Sequence, residues 1–207
     1  MEIELKYSLT DNLAKDRILN DHHLAEMKDS SCDETLHMKA IYFDTAEGDL
    51  QRFQIALRAR HENDRIVVTL KWKGSAQDGL HIRGELNVPG DETYLEKPTL
   101  EVFRGSEIFE ELEEAVSGKQ LIPVMEMDYI RKSIQVDTGA SISVISLDEG
   151  VIRAGDKEAE ILEVEVELYS GEQRDMIALG EELASKYNLV SNDQSKFQRG
   201  LELLKAE

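Results

Sequence analysis

Strict alternation of apolar and charged side chains is the feature that most constrains the fold of this chain. In residues 2–7 the apolar positions are Ile3, Leu5 and Tyr7, and the intervening positions carry only charged side chains. The same division recurs in four further segments: 55–60, 66–73, 80–88 and 161–168. Successive strand side chains point to opposite faces of a sheet, so each segment predicts a strand with one apolar and one charged face.

Eight strands and four helices are predicted from these periodicities and from turn signals. The predicted strands are 2–9, 39–44, 54–61, 65–73, 79–88, 125–136, 141–147 and 158–168. The predicted helices are 10–28, 105–118, 171–187 and 192–205. Eight strands at these spacings indicate an α+β, mainly β, fold: an eight-stranded antiparallel closed β-barrel, or tunnel, with helices packed on the outside. We expect a single domain over residues 1–207.

The charged faces are segregated by sign, which distinguishes them from an ordinary solvated sheet surface. Acidic residues dominate the first and last strands, and basic residues dominate the third to fifth. If helices cover the apolar outside of a barrel, the charged faces line its inside, which is costly unless they are hydrated, paired or filled by a ligand. Such a lumen fits a highly charged anion bridged by divalent metals. The alternative is a half-solvated sheet whose charged face is simply wet.

Composition excludes several classes of partner. The chain has 24 lysine and arginine residues against 43 aspartate and glutamate residues, a formal charge of −19. Affinity for a phosphate backbone or for anionic lipid requires a basic face, so we expect neither nucleic acid nor membrane as a partner. Cys32 is the only cysteine, which fits a cytoplasmic protein. We expect neither a signal peptide nor a transmembrane helix.

Six short motifs follow one another in order from residue 2 to about residue 200. They are Glu2-Ile-Glu4-Leu-Lys6, Tyr42-Phe-Asp44-Thr45, Leu57-Arg58-Ala-Arg60, Thr69-Leu-Lys71, Glu163-Val-Glu165-Val-Glu167 and Ser195-Lys196. This ordered set resembles the CYTH superfamily, also called the triphosphate tunnel metalloenzymes, and the first motif is similar to its ExExK signature. The segment from Gly79 to Val88 is similar to the bacterial inorganic triphosphatase branch. Many proteins of that branch carry a C-terminal CHAD domain, which we do not expect in this chain.

The resemblance implies a tunnel that binds a triphosphate with Mg²⁺ or Mn²⁺ as the cofactor. The implied metal ligands are Glu2, Glu4, Glu165 and Glu167, with Glu163 able to replace one of the last two. The substrate-binding candidates are Lys6, Arg58, Arg60, Lys71, Lys73, Arg83, Arg131 and Lys196. The catalytic candidates are Lys6, Arg58 and Glu85, where Glu85 either supports Arg83 by an ion pair or activates water. Arg131 and Lys132 are adjacent bases. Because successive side chains of a strand point to opposite faces, only one of them can face the lumen, and this parity of positions along the strand favours Arg131.

The activity implied by the resemblance is hydrolysis of the terminal phosphate of inorganic triphosphate. The alternatives are an adenylate cyclase or a nucleoside or thiamine triphosphatase of the same superfamily, and a polyphosphate-binding module without catalysis. A pure anion binder has no need for lumen acids, of which the chain offers Glu2, Glu4, Glu85, Glu163, Glu165, Glu167 and, as a further candidate, Asp148. The oligomeric state, a homodimer included, is left open by the sequence.

Overall fold

The computed structural model describes residues 1–10 and 12–205 of the chain. Its strands are β1 (Glu2–Ser8), β2 (Lys28–Asp44), β3 (Ile55–Glu62), β4 (Arg65–Gln77), β5 (Leu80–Gly90), β6 (Ile122–Asp137), β7 (Ser141–Ala154), β8 (Lys157–Gly171) and β9 (Val190–Ser191). Its helices are α1 (Asn12–Ile18), α2 (His22–Met27), α3 (Asp49–Arg52), α4 (Glu92–Glu96), α5 (Phe109–Val116), α6 (Gln173–Tyr187) and α7 (Lys196–Lys205), with a 3₁₀ helix at Leu100–Phe103.

The first eight strands form a closed antiparallel barrel, as the alternation predicts. Around the barrel the order is β1-β5-β4-β3-β2-β6-β7-β8, and β1 closes the ring by pairing with both β5 and β8. β5 pairs with β1 only up to Leu5, opposite Leu80. The short strand β9 then pairs with the last two residues of β1, Tyr7 and Ser8.

The outward faces of the barrel form apolar cores with the helices. Leu5 and Tyr7 of β1 pack against α6 at Gly180, where any added Cβ would clash with the Leu5 side chain. The outward faces of β3 and β4 pack against α5 and its neighbours. In addition, α7 contributes Phe197 and Leu201 to a cluster on the lumen-facing sides of β2 and β6, so this helix lies at one end of the tunnel. No helix of the described residues is long and apolar enough to cross a membrane.

The predicted helix over 10–28 is two helices, and its residue 11 lies outside the described residues. α1 ends at Ile18 and α2 begins at His22, after Asp21 has taken the N-cap position. The Asp21 carboxylate accepts hydrogen bonds from the backbone N–H groups of His23, at 2.8 Å, and Leu24, at 3.3 Å. A capping aspartate starts a new helix rather than continuing an old one.

Asp21→Asn is expected to lower the free energy of unfolding by about 1–2 kcal/mol at pH 7. Asp21 is buried, forms an ion pair with Lys186 at 2.5 Å and accepts a hydrogen bond from the Tyr187 hydroxyl. Although burial opposes ionisation, Lys186, Tyr187 and the two backbone N–H groups lower the pKa of Asp21 from 3.8 to about 2.

The sign of the pH dependence follows from this lowered pKa. The carboxylate stabilises the folded protein above the unfolded-state pKa, and this stabilisation is lost as the pH falls through the folded-state value. Urea denaturation should therefore show a smaller loss for Asp21→Asn at pH 3 than at pH 7. Asp156→Asn, in an exposed turn, is the control. An equal loss for Asp21→Asn at both pH values would show that charge at this cap does not stabilise the fold.

Candidate active site

The charged faces of the barrel strands surround one lumen cavity of about 370 Å³. Its charged lining residues are Glu2, Glu4, Lys6, Arg58, Arg60, Lys71, Arg83, Glu85, Arg131, Glu165, Glu167 and Lys196. A second cavity of about 510 Å³ shares Arg60, Arg131 and Glu167 with the first and reaches the exposed start of β2 at Ser31. The strand alternation therefore places acids and bases from six strands around one interior space, and helix α7 adds Lys196.

In one sector of the lumen, three short ion pairs join β1 to the basic strands β4 and β5, and a fourth joins β4 to β5. Lys71 Nζ lies 2.6 Å from Glu2 and 2.7 Å from Glu85. Arg83 donates to Glu2 at 2.5 Å and to Glu4 at 2.6 Å. These carboxylates hold the two bases in place on the wall. Glu85 thus pairs with Lys71, its direct neighbour across the strands, and not with Arg83 as the sequence suggested.

The Glu85 carboxyl is a poor proton acceptor at neutral pH. Burial opposes its ionisation, but the ammonium of Lys71, a hydrogen bond with Glu2 and the charge of Arg58 together outweigh that effect and lower the pKa of Glu85 to about 2. Efficient general bases have a pKa near the working pH. The low pKa therefore favours a role for Glu85 in holding Lys71 over activation of water.

A second sector gathers three buried carboxylates around one ammonium. Lys196 Nζ lies 2.7 Å from Asp148 and 2.9 Å from Glu165, and it also donates to Glu163. Oxygen atoms of the three carboxylates lie within 4.8 Å of one another, a spacing that could hold a metal ion. Because the ammonium of Lys196 already lies among them, these carboxylates are satisfied by a cation of the chain itself.

Two more bases complete this second sector. Arg131 makes two hydrogen bonds to Asp148, at 2.7 and 2.6 Å, and also donates to Glu165. Lys6 Nζ lies 2.6 Å from Glu165. Burial opposes ionisation, but Lys196, Lys6 and Arg131 hold the pKa of Glu165 well below its usual range.

Arg58 differs from the other lumen bases. It is buried, and its Nη2 donates to Thr69 Oγ1 at 3.4 Å, while its Nε has no hydrogen-bond partner. Among the described residues, no carboxylate lies within ion-pairing distance of it. A buried guanidinium with an unsatisfied N–H is unfavourable on its own, and it is suited to receive an anion.

Glu167 is the corresponding unpaired acid. It lies directly opposite Glu4 in the β1–β8 register, and like charges in that position repel. Burial, followed by the carboxylates of Glu2 and Glu4, raises the pKa of Glu167 to about 7. In the part of the chain that the structure describes, no basic side chain forms an ion pair with it. Among the described lumen acids, Glu167 therefore has a carboxylate without an ion-pair partner, whereas Glu2 and Glu4 share Arg83, and a divalent cation is suited to such oxygen donors.

Lys73 and Glu163 do not line the lumen cavity as predicted, and Arg60 lines it with a carboxylate partner. Lys73 points away from the lumen and lies 2.8 Å from Glu111, because the pairing of β4 with β5 is irregular between Trp72 and Ser75. Arg60 lines both cavities but donates to Glu62 at 3.0 Å. Glu163 is fully buried beneath Lys196.

Asp148 is the main lumen residue that the predicted site set lacks. Its side chain is fully buried between Arg131 and Lys196. The sequence predicted the seventh strand only as far as residue 147, whereas β7 continues to Ala154. The alternation of Ile152 and Ala154 beyond that point is the signal that would have extended the strand. Tyr42, which also lines the cavity, carried no charge signal.

Comparisons with known proteins agree with this architecture. The CYTH domain model matches residues 1–201. An inorganic triphosphatase of Haemophilus influenzae is 32% identical over 167 residues, which are 81% of this chain and 46% of that protein. The chain thus spans less than half the length of this curated relative.

Two solved structures share the fold. The proposed adenylyl cyclase of Hippeastrum, which has a dominant triphosphatase activity, superposes with a TM-score of 0.73 at 21% identity, covering 98% of this chain and 96% of that one. A proposed adenylate cyclase from Bacillus halodurans gives a TM-score of 0.64 at 20% identity, covering 96% of each chain. At these identities the similarity concerns the fold.

Proposed function

This chain belongs to the CYTH family, and from that premise we propose that it hydrolyses the terminal phosphate of inorganic triphosphate inside its tunnel. The observation that carries the proposal is Arg58, a buried lumen base with an unsatisfied N–H in a cavity lined by further bases. The 32% identity to an inorganic triphosphatase supports the choice of substrate.

The phosphates would be bound by bases from several walls of the barrel. Arg58 is free to receive a phosphate oxygen directly, and the planar guanidinium fork suits bidentate contacts with phosphate. The other phosphate-binding candidates that face the cavity are Lys6, Arg60, Lys71, Arg83, Arg131 and Lys196. Carboxylates already hold most of these bases in place. The bases therefore need little reorganisation when the anion enters.

Glu2, Glu4 and Glu167 would hold a divalent cation at the acidic end of β1 and β8. Their oxygen donors suit Mg²⁺ and Mn²⁺, and their mutual repulsion is relieved by a cation. A bound metal would neutralise phosphate charge and polarise the phosphoryl oxygens. Glu165, which the sequence also placed among the ligands, lies in the cluster with Asp148 and Glu163 that could hold a metal ion. It is engaged by Lys6, Arg131 and Lys196, and in this proposal it orients these bases.

The remaining contribution of the chain is positioning and electrostatic stabilisation, as expected for phosphoryl transfer without a covalent intermediate. Lys6 and Arg58 face the same cavity from β1 and β3 and would stabilise charge that develops on the phosphates. Glu85 acts through Lys71, whose ammonium it holds at 2.7 Å.

An organic triphosphate is the second candidate substrate. The cavity is also lined by uncharged side chains that include Gln51, Gln54, Trp72 and Phe197. Aromatic and amide groups of this kind can contact a base or another organic ring. These side chains therefore make a nucleoside or thiamine triphosphate the second candidate.

Phosphate release from four substrates tests these candidates: inorganic triphosphate, ATP, thiamine triphosphate and long-chain polyphosphate, each with Mg²⁺ or Mn²⁺. We expect the highest kcat/KM with inorganic triphosphate and strong loss in Arg58→Ala. Higher kcat/KM with ATP or thiamine triphosphate would favour the organic substrate, and cyclic AMP would identify a cyclase. Tight binding of triphosphate without hydrolysis in either metal would contradict the hydrolase and favour a binding module.

A further inference from the structure

Two buried tyrosines of the lumen each lie beside an arginine, at the same distance. The guanidinium carbon of Arg58 lies 6.0 Å from the Tyr42 ring centroid, and that of Arg131 lies 6.0 Å from the Tyr129 ring centroid. The tyrosines lie on adjacent strands, β2 and β6, and both are nearly inaccessible to solvent. The two pairs therefore offer an internal comparison.

The two arginines differ in what else holds them. Arg131 is fixed by a bidentate hydrogen-bonded ion pair with Asp148 at 2.7 and 2.6 Å. Apart from its interaction with Tyr42, Arg58 has one long hydrogen bond, at 3.4 Å to Thr69, and it forms no ion pair among the described residues. What remains to orient the Arg58 guanidinium is the face and hydroxyl of Tyr42.

Tyr42 is itself held by a second aromatic ring. Its ring stacks on Phe197 of α7, with centroids 5.0 Å apart and an interplanar angle of 21°. Burial alone would raise the pKa of Tyr42, but the charges of Arg58 and then Lys71 outweigh burial and lower it. The phenol thus lies in the field of the bases while its ring is fixed between strand and helix.

We propose that Tyr42 is a positioning residue that holds the Arg58 guanidinium toward the substrate phosphates, and that Phe197 fixes Tyr42 in that position. The inference rests on the proposed triphosphatase function. An arginine without an ion-pair partner would otherwise lose side-chain freedom when it binds an anion, so prior orientation by an aromatic ring improves affinity.

Kinetics with inorganic triphosphate test this role through a double-mutant cycle. Tyr42→Leu removes ring and hydroxyl and is expected to raise KM about tenfold while changing kcat less. Tyr42→Phe keeps the ring under the guanidinium and should recover most of that loss. When Arg58 is already replaced by lysine, Tyr42→Leu should raise KM less than about twofold, because the group that it orients is gone.

Tyr129 and Arg131 provide the matched control cycle. Because Asp148 fixes Arg131, Tyr129→Leu and Arg131→Lys should change KM additively, within about twofold. A Tyr42→Leu effect that is as large in the Arg58→Lys background as in the wild type would overturn the proposal, since a general packing role predicts that result.

Nitrogen-edited NMR keeps the proposal testable if Tyr42→Leu does not fold. The Nε–H signal of Arg58, identified by its loss in Arg58→Lys, should be sharp in the wild type. It should shift in Tyr42→Phe, which removes the hydroxyl, and broaden in Phe197→Leu, which frees the Tyr42 ring. An unchanged signal in both variants would overturn the role of Tyr42.

Calorimetric titration with sodium tripolyphosphate separates the proposed triphosphatase function from the positioning role of Tyr42. No binding by the wild type would overturn the proposed function, whereas wild-type binding with equal affinity in Tyr42→Leu would overturn only the positioning role.

Discussion

Glu4→Gln is expected to lower turnover of inorganic triphosphate by at least about 100-fold and to raise the metal concentration that gives half-maximal rate. Glu4 is buried in the lumen directly opposite Glu167, and Glu2 lies on the same face of β1. Glutamine keeps the size of the side chain but removes the charge that a divalent cation would neutralise. Phosphate release measured across a series of Mg²⁺ and Mn²⁺ concentrations gives both quantities.

Three further variants are compared with Glu4→Gln to distinguish loss of metal binding from other defects. High Mn²⁺ should recover part of the Glu4→Gln defect and of the Glu167→Gln defect, because the remaining carboxylates still bind the cation weakly. High Mn²⁺ should not recover Arg58→Ala, which removes a phosphate contact and raises KM as well. Glu126→Gln, at an exposed position of β6, is the control. If Glu4→Gln kept its turnover and metal dependence, Glu2, Glu4 and Glu167 would not form the metal site.

The barrel could be predicted from the sequence because its signal is local. In β1, Leu5 and Tyr7 alternate with Glu4 and Lys6, and this alternation alone decides which side chains face the helices and which face the lumen. The same rule sends Arg58 inward on β3. Assigning a side chain to one face of its strand requires no knowledge of strand order. Most of the lumen residues can therefore be identified from the alternation alone.

Pairing within the lumen could not be predicted, because it depends on the register between strands. Lys71 pairs with Glu85 because the two face each other across β4 and β5. Arg83 pairs with Glu2 because β5 closes the barrel against β1 in the register that brings them together. Parity alone therefore identified the right faces but gave the wrong partner for Glu85.

Irregular backbone explains why Lys73 was placed wrongly. Lys73 shares the parity of Lys71, but its φ of 52° and the disrupted pairing beside it turn the side chain toward Glu111. A parity rule assumes an unbroken strand and fails at such a position. Asp148 was missed as a site residue for a different reason, since it lies just past the predicted end of the strand.

Asp148→Asn is expected to lower the free energy of unfolding by about 3–5 kcal/mol, the usual cost of removing one partner from a buried ion pair. The Asp148 carboxylate is inaccessible to solvent and holds Arg131 at two positions and Lys196 at 2.7 Å. Without its charge, two buried bases must share the carboxylates of Glu163 and Glu165. For a chain of this length the loss corresponds to a drop in Tm of roughly 6–20 °C.

The pH dependence and a second substitution identify the cause of this loss. Burial would raise the pKa of Asp148, but Arg131 and Lys196 lower it, so the carboxylate stabilises the fold above its unfolded-state pKa and stops doing so in acid. The difference in free energy of unfolding between wild type and Asp148→Asn should therefore narrow as the pH falls below about 4.

Adding Arg131→Met to Asp148→Asn should restore part of the stability, because a buried base without a partner is removed and the methionine side chain fills its space. Denaturant titrations of the wild type and both variants at pH 7 and pH 3 measure these differences. If Asp148→Asn were as stable as the wild type at pH 7, Glu163 and Glu165 alone would suffice to hold both bases, and Asp148 would not be the residue that fixes them.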